Sequence, residues 1–363
     1  MSIQDFLLSE SYTAEKEDMP ITRQVIERIA VEKPFQDITV VIGHFLALNS
    51  VALFEAFWRG GAETTICTPF QCELTRSLVR ELQLHDFPIL PVEEAVEAGD
   101  YFIDNAGMLG KRRTPQGAIE VTRTGDWVYD SLLCPTLSID KSRLKYLEDF
   151  LGTGESFVRG WYHLRPNDPL TGKNVLLFGY GKVGKGVAFY TRKEGANLTV
   201  VDINPDVLTK AQQEGFASID LQDKAGLESA LRAANIVIGA TGVPGAVGNS
   251  VPHAWLLANS PFFVNIGHDE FGPHIPEDEI LGGRQVPINF HLQRPTRNHK
   301  IDPIQAAEVL ALEELVHNPG KYSNGLHPLP QTIDVRVMKE WMSYWPKEDL
   351  SGIAEEIGLS ELK

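Results

Sequence analysis

The chain is poor in the features that assign a class at a glance. No apolar run among its 363 residues is long enough to cross a bilayer, so no membrane partner is expected. Its three cysteines, Cys67, Cys72 and Cys134, are odd in number and have no CxxC spacing. That argues for reduced thiols in a cytoplasmic protein, against a disulfide framework and against a cysteine-built zinc site. No GxSxG elbow and no P-loop occur, which removes hydrolase-triad and NTPase readings. His291, His299, His317 and His327 are scattered without HExxH or HxxxH spacing, so no metal is expected there. Basic charge is also short: 33 Lys and Arg against 49 Asp and Glu leave a net charge of −16. Such a surface repels a phosphate backbone and excludes nucleic acid as the expected partner. A single cofactor phosphate remains compatible, because backbone N–H groups can hold it locally. The first twenty residues are acidic and lack the basic-then-apolar order of a signal peptide. There is no repeat of fixed period and no low-complexity segment.

What is present is ordinary globular composition, 43% hydrophobic and 23% charged, in a chain long enough for two domains. Ile38 to Phe45 is a β-branched run, and Ser50 to Ala62 follows with helical spacing and a Gly-Gly stop. Glu63 to Cys67 reads as a second strand, Thr75 to Leu84 as a helix, Pro88 to Val92 as a short strand, and YFIDNAG as another. A second strand–helix series starts at Asn174 and continues through IVIGATG and FFVNIGH. Between the series lies an expected long helix, Lys141 to Tyr162, placed to act as a hinge. After Pro287, Pro303 to His317 and Ile333 to Trp345 read as helices. Repeated strand–helix–strand units predict an α/β protein with mostly parallel sheets.

NVLLFGYGKVG sets Gly179, Gly181 and Gly184 after an apolar strand and at the head of a helix. The first glycine permits a tight turn and the second lets the backbone approach a pyrophosphate. The third allows close packing of helix on strand. LTVVD then ends at Asp202, whose carboxylate can accept from ribose hydroxyls and repel the extra phosphate of NADP. A Rossmann unit holding NAD is therefore expected. A related sheet that binds S-adenosylmethionine, or nothing, is the competing reading. Thr241, Gly242 and Asn265 follow further buried-looking strands, where ligands of open α/β sheets bind. Asn265 is alternatively a turn residue satisfying backbone groups, and His268 a capping or surface histidine.

At GYGKVGKG, VVDINP, ATG and FFVNIGHDE the chain resembles S-adenosylhomocysteine hydrolase. LGTGESFVRGW is similar to the segment that leads into that family's cofactor domain. VVIGHF, FIDNAG and IEVTRTG resemble its His-Met-Thr, aspartate-rich and Glu-Thr-Thr-Thr-Gly segments. The resemblance implies a Rossmann NAD-binding domain inserted in a second α/β substrate domain, with boundaries near 150 and 295. Residues 296–363 would then complete the substrate domain as a helical segment. It also implies a homo-oligomer and hydride transfer on a small molecule, as an oxidoreductase or a hydrolase/lyase.

Carried over by position, the resemblance assigns catalytic roles to His44, Glu120, Lys145, Asp149 and His268, with Asn105 where the family has a catalytic aspartate. Thr153 matches a threonine beside the cofactor, and Lys182 and Val183 lie within the glycine loop. His44 alternatively caps the following helix, Glu120 is alternatively a surface strand residue, and Lys145 a solvated lysine. The RRTPQG loop and Arg123 read as surface charge or as an anion contact. Leu46 and Leu48 stand where the family contacts adenine with threonine and glutamate. Two leucines would leave polar groups of adenine unpaired, at about 1–3 kcal/mol each. The expectation is an enzyme of this type acting on a small molecule other than S-adenosylhomocysteine. A genuine adenosylhomocysteinase and a non-catalytic NAD-binding regulator are the alternatives.

Overall fold

A computed structural model describes residues 2–68, 72–257, 261–267 and 269–362. Their strands are β1 (Thr39–Gly43), β2 (Glu63–Cys67), β3 (Tyr101–Asp104), β4 (Gly117–Glu120), β5 (Pro135–Ser138), β6 (Asn174–Phe178), β7 (Asn197–Asp202), β8 (Ala217–Asp220), β9 (Ile236–Gly239), β10 (Phe262–Asn265) and β11 (Gly325–Pro328). The chain divides into two compact units, Met1–Glu148 with Arg297–Lys363, and Asp149–Thr296. Each holds one sheet, and every strand pairing between named strands is parallel. The α/β class expected from the strand–helix alternation is the class observed. Among the described residues no helix is long and apolar enough to cross a membrane.

The first unit carries six strands in the order β11-β5-β4-β3-β1-β2. Cys67, Gly43, Asp104, Glu120, Ser138 and Pro328 fall in one register row at the carboxyl edge. The segment after 296, expected to be helical, thus also supplies an edge strand. Its main helix spans Asn298–His317 and begins five residues before Pro303, where the sequence suggested a start. Proline removes the N–H that would bond the carbonyl of His299. That carbonyl instead accepts from the Trp341 indole at 2.5 Å, which keeps the helix continuous. Asp302 on the same helix accepts from the N–H groups of Ile21 and Thr22, at 3.0 and 2.7 Å. It thereby caps helix Pro20–Glu32, whose own N-cap residue, Met19, makes no side-chain cap.

Two other expectations fail. Pro88 to Val92 forms only an isolated bridge, Ile66 to Ile89, because Pro88 and Pro91 supply no ladder donors. The expected helix from Lys141 is irregular: a π-helical stretch, Leu147–Thr153, precedes the α-helix Gly154–Leu164. Close packing accompanies the change: a Cβ on Gly154 would lie 2.4 Å from the carbonyl carbon of Gly186, and one on Gly186 2.4 Å from the Phe150 carbonyl oxygen.

The second unit has five strands in the order β10-β9-β6-β7-β8. From β6 the chain runs to one side through β7 and β8, then returns to β9 and β10 on the other. The direction changes between β6 and β9, which makes their carboxyl ends the switch point of a doubly wound sheet. Strand β6 is apolar after its first residue because both faces are covered: Val175 and Leu177 enter one core, Leu176 and Phe178 the other.

Candidate functional site

The glycine loop lies at the switch point. Gly179 has φ +92°, and a Cβ there would meet the Ala240 carbonyl oxygen at 2.6 Å. Turn and close approach therefore both require glycine. Gly184 packs still tighter, since its Cβ would sit 2.1 Å from the oxygen of Gly179. Gly181 is different: a Cβ there would meet nothing within 4 Å. Its backbone is thus open to a ligand. Helix Lys182–Lys193 starts immediately after it, with a glycine N-cap that places no side chain over the end of the helix that favours an anion. Lys182 and Val183 occupy its first two positions.

Asp202 ends β7 and accepts from the Tyr180 N–H at 3.0 Å and the Asn204 N–H at 3.0 Å. These bonds fix the carboxylate beside the glycine turn. Ile203, 68% exposed, and Val243, 44% exposed, follow β7 and β9, the two neighbours of β6. Exposed apolar side chains on both flanks of the loop suit a flat aromatic ring. The residues present therefore fit NAD: Gly181 and the helix terminus for the pyrophosphate, Asp202 for the ribose diol, Ile203 and Val243 for adenine. Thr153 leads into helix Gly154–Leu164, which packs against the cofactor helix through Gly154 and Gly186.

Glu270 was not singled out from the sequence. It is fully buried, accepts from the Gly242 N–H at 2.8 Å and from the Thr241 hydroxyl, and so ties down the turn after β9. Burial pushes its pKa up to about 7 against these hydrogen bonds. Asn265 spends its amide on two backbone groups, donating to the Arg284 carbonyl and accepting from the Glu270 N–H. It holds the turn that delivers Glu270. The remaining expected residue of this turn, His268, falls outside the described residues.

In the first unit, the residues after the carboxyl edge gather polar groups. His44 follows β1 and meets Glu308 at 3.1 Å, both buried. Burial lowers the His44 pKa, but the Glu308 charge and hydrogen bond outweigh it, and the net shift is upward. Lys145 is 4% exposed and pairs with Glu148 at 2.5 Å, so the solvated-lysine reading fails. The charges of both act on His44. Asp149, i+4 from Lys145, is half-buried on the π-helical stretch, at the start of the second unit. Asn105 follows β3, the neighbour of β1; it is buried and its Oδ1 has no protein partner among the described residues.

Glu120 is fully buried, not a surface strand residue. Its Oε1 accepts from the N–H groups of Ala106, Val121 and Thr122 and from the Thr122 hydroxyl, and its Oε2 from the Gly107 N–H. Asp104 beside it accepts from Asn105, Leu109 and Gly110 N–H groups and from the Tyr129 hydroxyl. The two acids therefore knit the turns that carry Asn105 to the strand ends. Burial pushes Asp104 up to about 6, and burial with the Asp104 charge raises Glu120. Among the described residues no group of three or more potential ligands is placed to hold a metal.

Residues 151–282 match the model of the S-adenosyl-L-homocysteine hydrolase NAD-binding domain. The chain is 26% identical to an adenosylhomocysteinase of a Nostoc species, over 89% of this chain and 86% of that protein. It is 26% identical to an S-inosyl-L-homocysteine hydrolase of Methanopyrus kandleri, over 89% and 87% of the two chains. Over most of its length the chain is thus distantly similar to S-adenosyl- and S-inosyl-L-homocysteine hydrolases. Its second unit carries the family's NAD-binding domain, and NAD is its cofactor. Among solved structures, a dipicolinate synthase chain from Bacillus halodurans is similar at a TM-score of 0.49 and 16% identity, covering 78% of this chain and 100% of that one. Against the family pattern quoted above, Leu46 is buried just beyond β1 and Leu48 half-buried.

Proposed function

We propose that the chain is a member of the S-adenosyl-L-homocysteine hydrolase family and uses NAD for hydride chemistry on a hydroxyl or amine of a small molecule other than S-adenosylhomocysteine. The carrying observation is a contrast. The cradle at Gly179, Gly181, Gly184 and Asp202 fits the cofactor, while buried Leu46 stands where the resemblance puts a polar adenine contact. When bound, NAD supplies a two-electron hydride acceptor. Oxidation of a hydroxyl-bearing carbon also releases the hydroxyl proton, and a side chain must take it. Lys145 and His44 are the candidates. His44 keeps its proton to higher pH than free imidazole because of Glu308, which suits it to donating a hydrogen bond to an oxygen. Lys145 is paired with Glu148 and can take the proton only once its own ammonium proton has passed to that carboxylate. Glu120 serves by holding the turn of Asn105. A homo-oligomer in the cytoplasm goes with this reading.

The test has two arms. Purified protein loaded with NAD is exposed to a panel of nucleosides and small alcohols, and the nicotinamide absorbance is followed. Reduction by one of them supports the proposal. In parallel, S-adenosylhomocysteine is supplied together with adenosine deaminase. Homocysteine release would instead support the reading favoured by the relatives' names, a genuine adenosylhomocysteinase.

A further inference from the structure

Lys145 sits on backbone that no named helix or strand covers, residues 139–146. The chain there makes single turns. Ser142 N–H bonds the Ile139 carbonyl at 2.9 Å, Tyr146 bonds Arg143 at 3.2 Å, and Leu147 bonds Leu144 at 2.8 Å. The stretch is nevertheless buried at Ile139, Ser142, Leu144 and Lys145. Buried backbone outside a ladder takes its position from other contacts, and Arg143 supplies two that are distant in sequence. Its Nε donates to Asp334 Oδ2 at 3.0 Å, and its Nη1 to the Ile357 carbonyl at 3.2 Å. Asp334 lies in the first turn of helix Gln331–Tyr344. Ile357 belongs to the segment that follows this helix, anchored by buried Ile353, Ile357 and Leu362. Gly358 then turns with φ +62°, and a Cβ there would lie 3.3 Å from Glu361 Oε2 and 3.7 Å from Arg143 Nη1. Glycine at this point lets the carbonyl of Ile357 come up to the guanidinium.

We propose that Arg143 is the positioning residue for Lys145, and that segment 346–362 fixes Lys145 through it. The inference rests on the role given to Lys145 above, that of a proton carrier for the substrate. The device is geometric. A guanidinium is a planar fork, so bonds to two acceptors set both where Arg143 lies and how it is turned. Lys145 follows two residues later, and its ammonium meets Glu148 at 2.5 Å in a buried place. A buried ion pair is favourable only with close geometry, so a small shift of this turn opens it. Proton movement is equally exacting: a misplacement of about 1 Å can cost about a hundredfold in rate. Among the described residues Arg143 makes no side-chain hydrogen bond to Lys145, Glu148 or His44. It therefore acts on them only through the backbone of its own turn.

The test is acylation of the full chain by acetic anhydride, with the rate at each lysine read by mass spectrometry. Lys224, exposed on the second unit, is the reagent control. Lys16, paired with Glu55 at 2.7 Å, reports any general loosening of the first unit. Arg143→Met is expected to speed acylation of Lys145 at least about tenfold and to leave both controls unchanged. Gly358→Val keeps the Arg143–Asp334 pair and disturbs only the later segment, and it should speed Lys145 in the same direction. The double variant should be no faster than Arg143→Met alone, because both changes act on one path. With a nucleoside or alcohol that reduces NAD, Arg143→Met should lower kcat at least about tenfold and leave NAD affinity unchanged. Arg143→Lys, which keeps a cation for Asp334, should recover part of that rate. Unchanged Lys145 acylation in Arg143→Met, additive effects in the double variant, or faster acylation of Lys16 as well overturns the inference. If Lys145→Met still abolishes NAD reduction in that case, the proposed function stands without it. If Lys145→Met reduces NAD as fast as the wild type, the proposed function loses this proton carrier and the positioning role falls with it, whatever the acylation shows.

Discussion

The Glu270 carboxyl accepts the backbone N–H of Gly242 at 2.8 Å, joining the turn after β10 to the turn after β9. Neither residue needs to touch a ligand for this bond to matter. It fixes the rim of the switch-point crevice whose opposite flank is set by Asp202 through the N–H of Tyr180. The rim is thus held by two carboxylates, one buried and one partly exposed.

Glu270 makes the cofactor unit sensitive to pH. Its folded pKa of about 7 lies above the ~4.3 of a free glutamate, so the folded state binds the proton more tightly. That contribution is fully present below about pH 4 and is lost as pH rises through 7. Glu270→Gln keeps an acceptor for Gly242 and removes the titration. Thermal unfolding from pH 4.5 to 8 should show a falling stability in the wild type and a flatter profile in the variant. Parallel profiles would count against this role.

The glycines separate packing from binding. Gly184→Ala drives a Cβ into the Gly179 carbonyl and should lower stability by about 2 kcal/mol or more, because backbone must move. Gly181→Ala meets no protein atom and should leave the unfolding temperature nearly unchanged. Yet it places a methyl where the pyrophosphate approaches, so NAD affinity should fall about tenfold, ~1.4 kcal/mol. Calorimetric unfolding and NAD titration of both variants check the pair.

Asp202 should set the choice between cofactors. Asp202→Asn removes the charge that repels a 2′-phosphate while keeping an amide oxygen for the N–H groups of Tyr180 and Asn204. The preference for NAD over NADP is expected to shrink by about tenfold, ~1.4 kcal/mol. An unchanged preference in competitive titration would place adenosine recognition elsewhere.

Glu120→Ala strands the backbone donors of residues 106, 107, 121 and 122 and the Thr122 hydroxyl in a buried pocket. The expected cost is at least about 3 kcal/mol, measured by denaturant unfolding. If activity is lost while stability is kept, Glu120 acts on the substrate directly.

The cofactor cradle was legible because its logic is local. Gly179 to Gly184 lie on one short stretch, and Asp202 follows at the end of the next strand. The first unit was legible only in outline, because its polar contacts join distant parts of the chain. His44 meets Glu308, and Ile21 and Thr22 meet Asp302, each bringing the two ends of the sequence together. No spacing rule exposes such pairs. The surface alternative for Glu120 stayed open because an isolated GAIE strand does not reveal the donors that converge from the turns beside it. Strand β5, PTLS, is four residues long and starts with proline, and β11, GLHP, ends with one; neither carries an apolar pattern. Pro303 misled the helix start because the compensating donor, Trp341, lies on another helix.

The most direct measurement is mass spectrometry of the ligands released from the purified, NAD-equilibrated protein. NAD is expected in near-stoichiometric amount, with little NADP from an equimolar mixture, and less NAD retained by Gly181→Ala. Recovery of NADP, of a sulfonium nucleoside such as S-adenosylmethionine, or of no nucleotide from the wild type would contradict it.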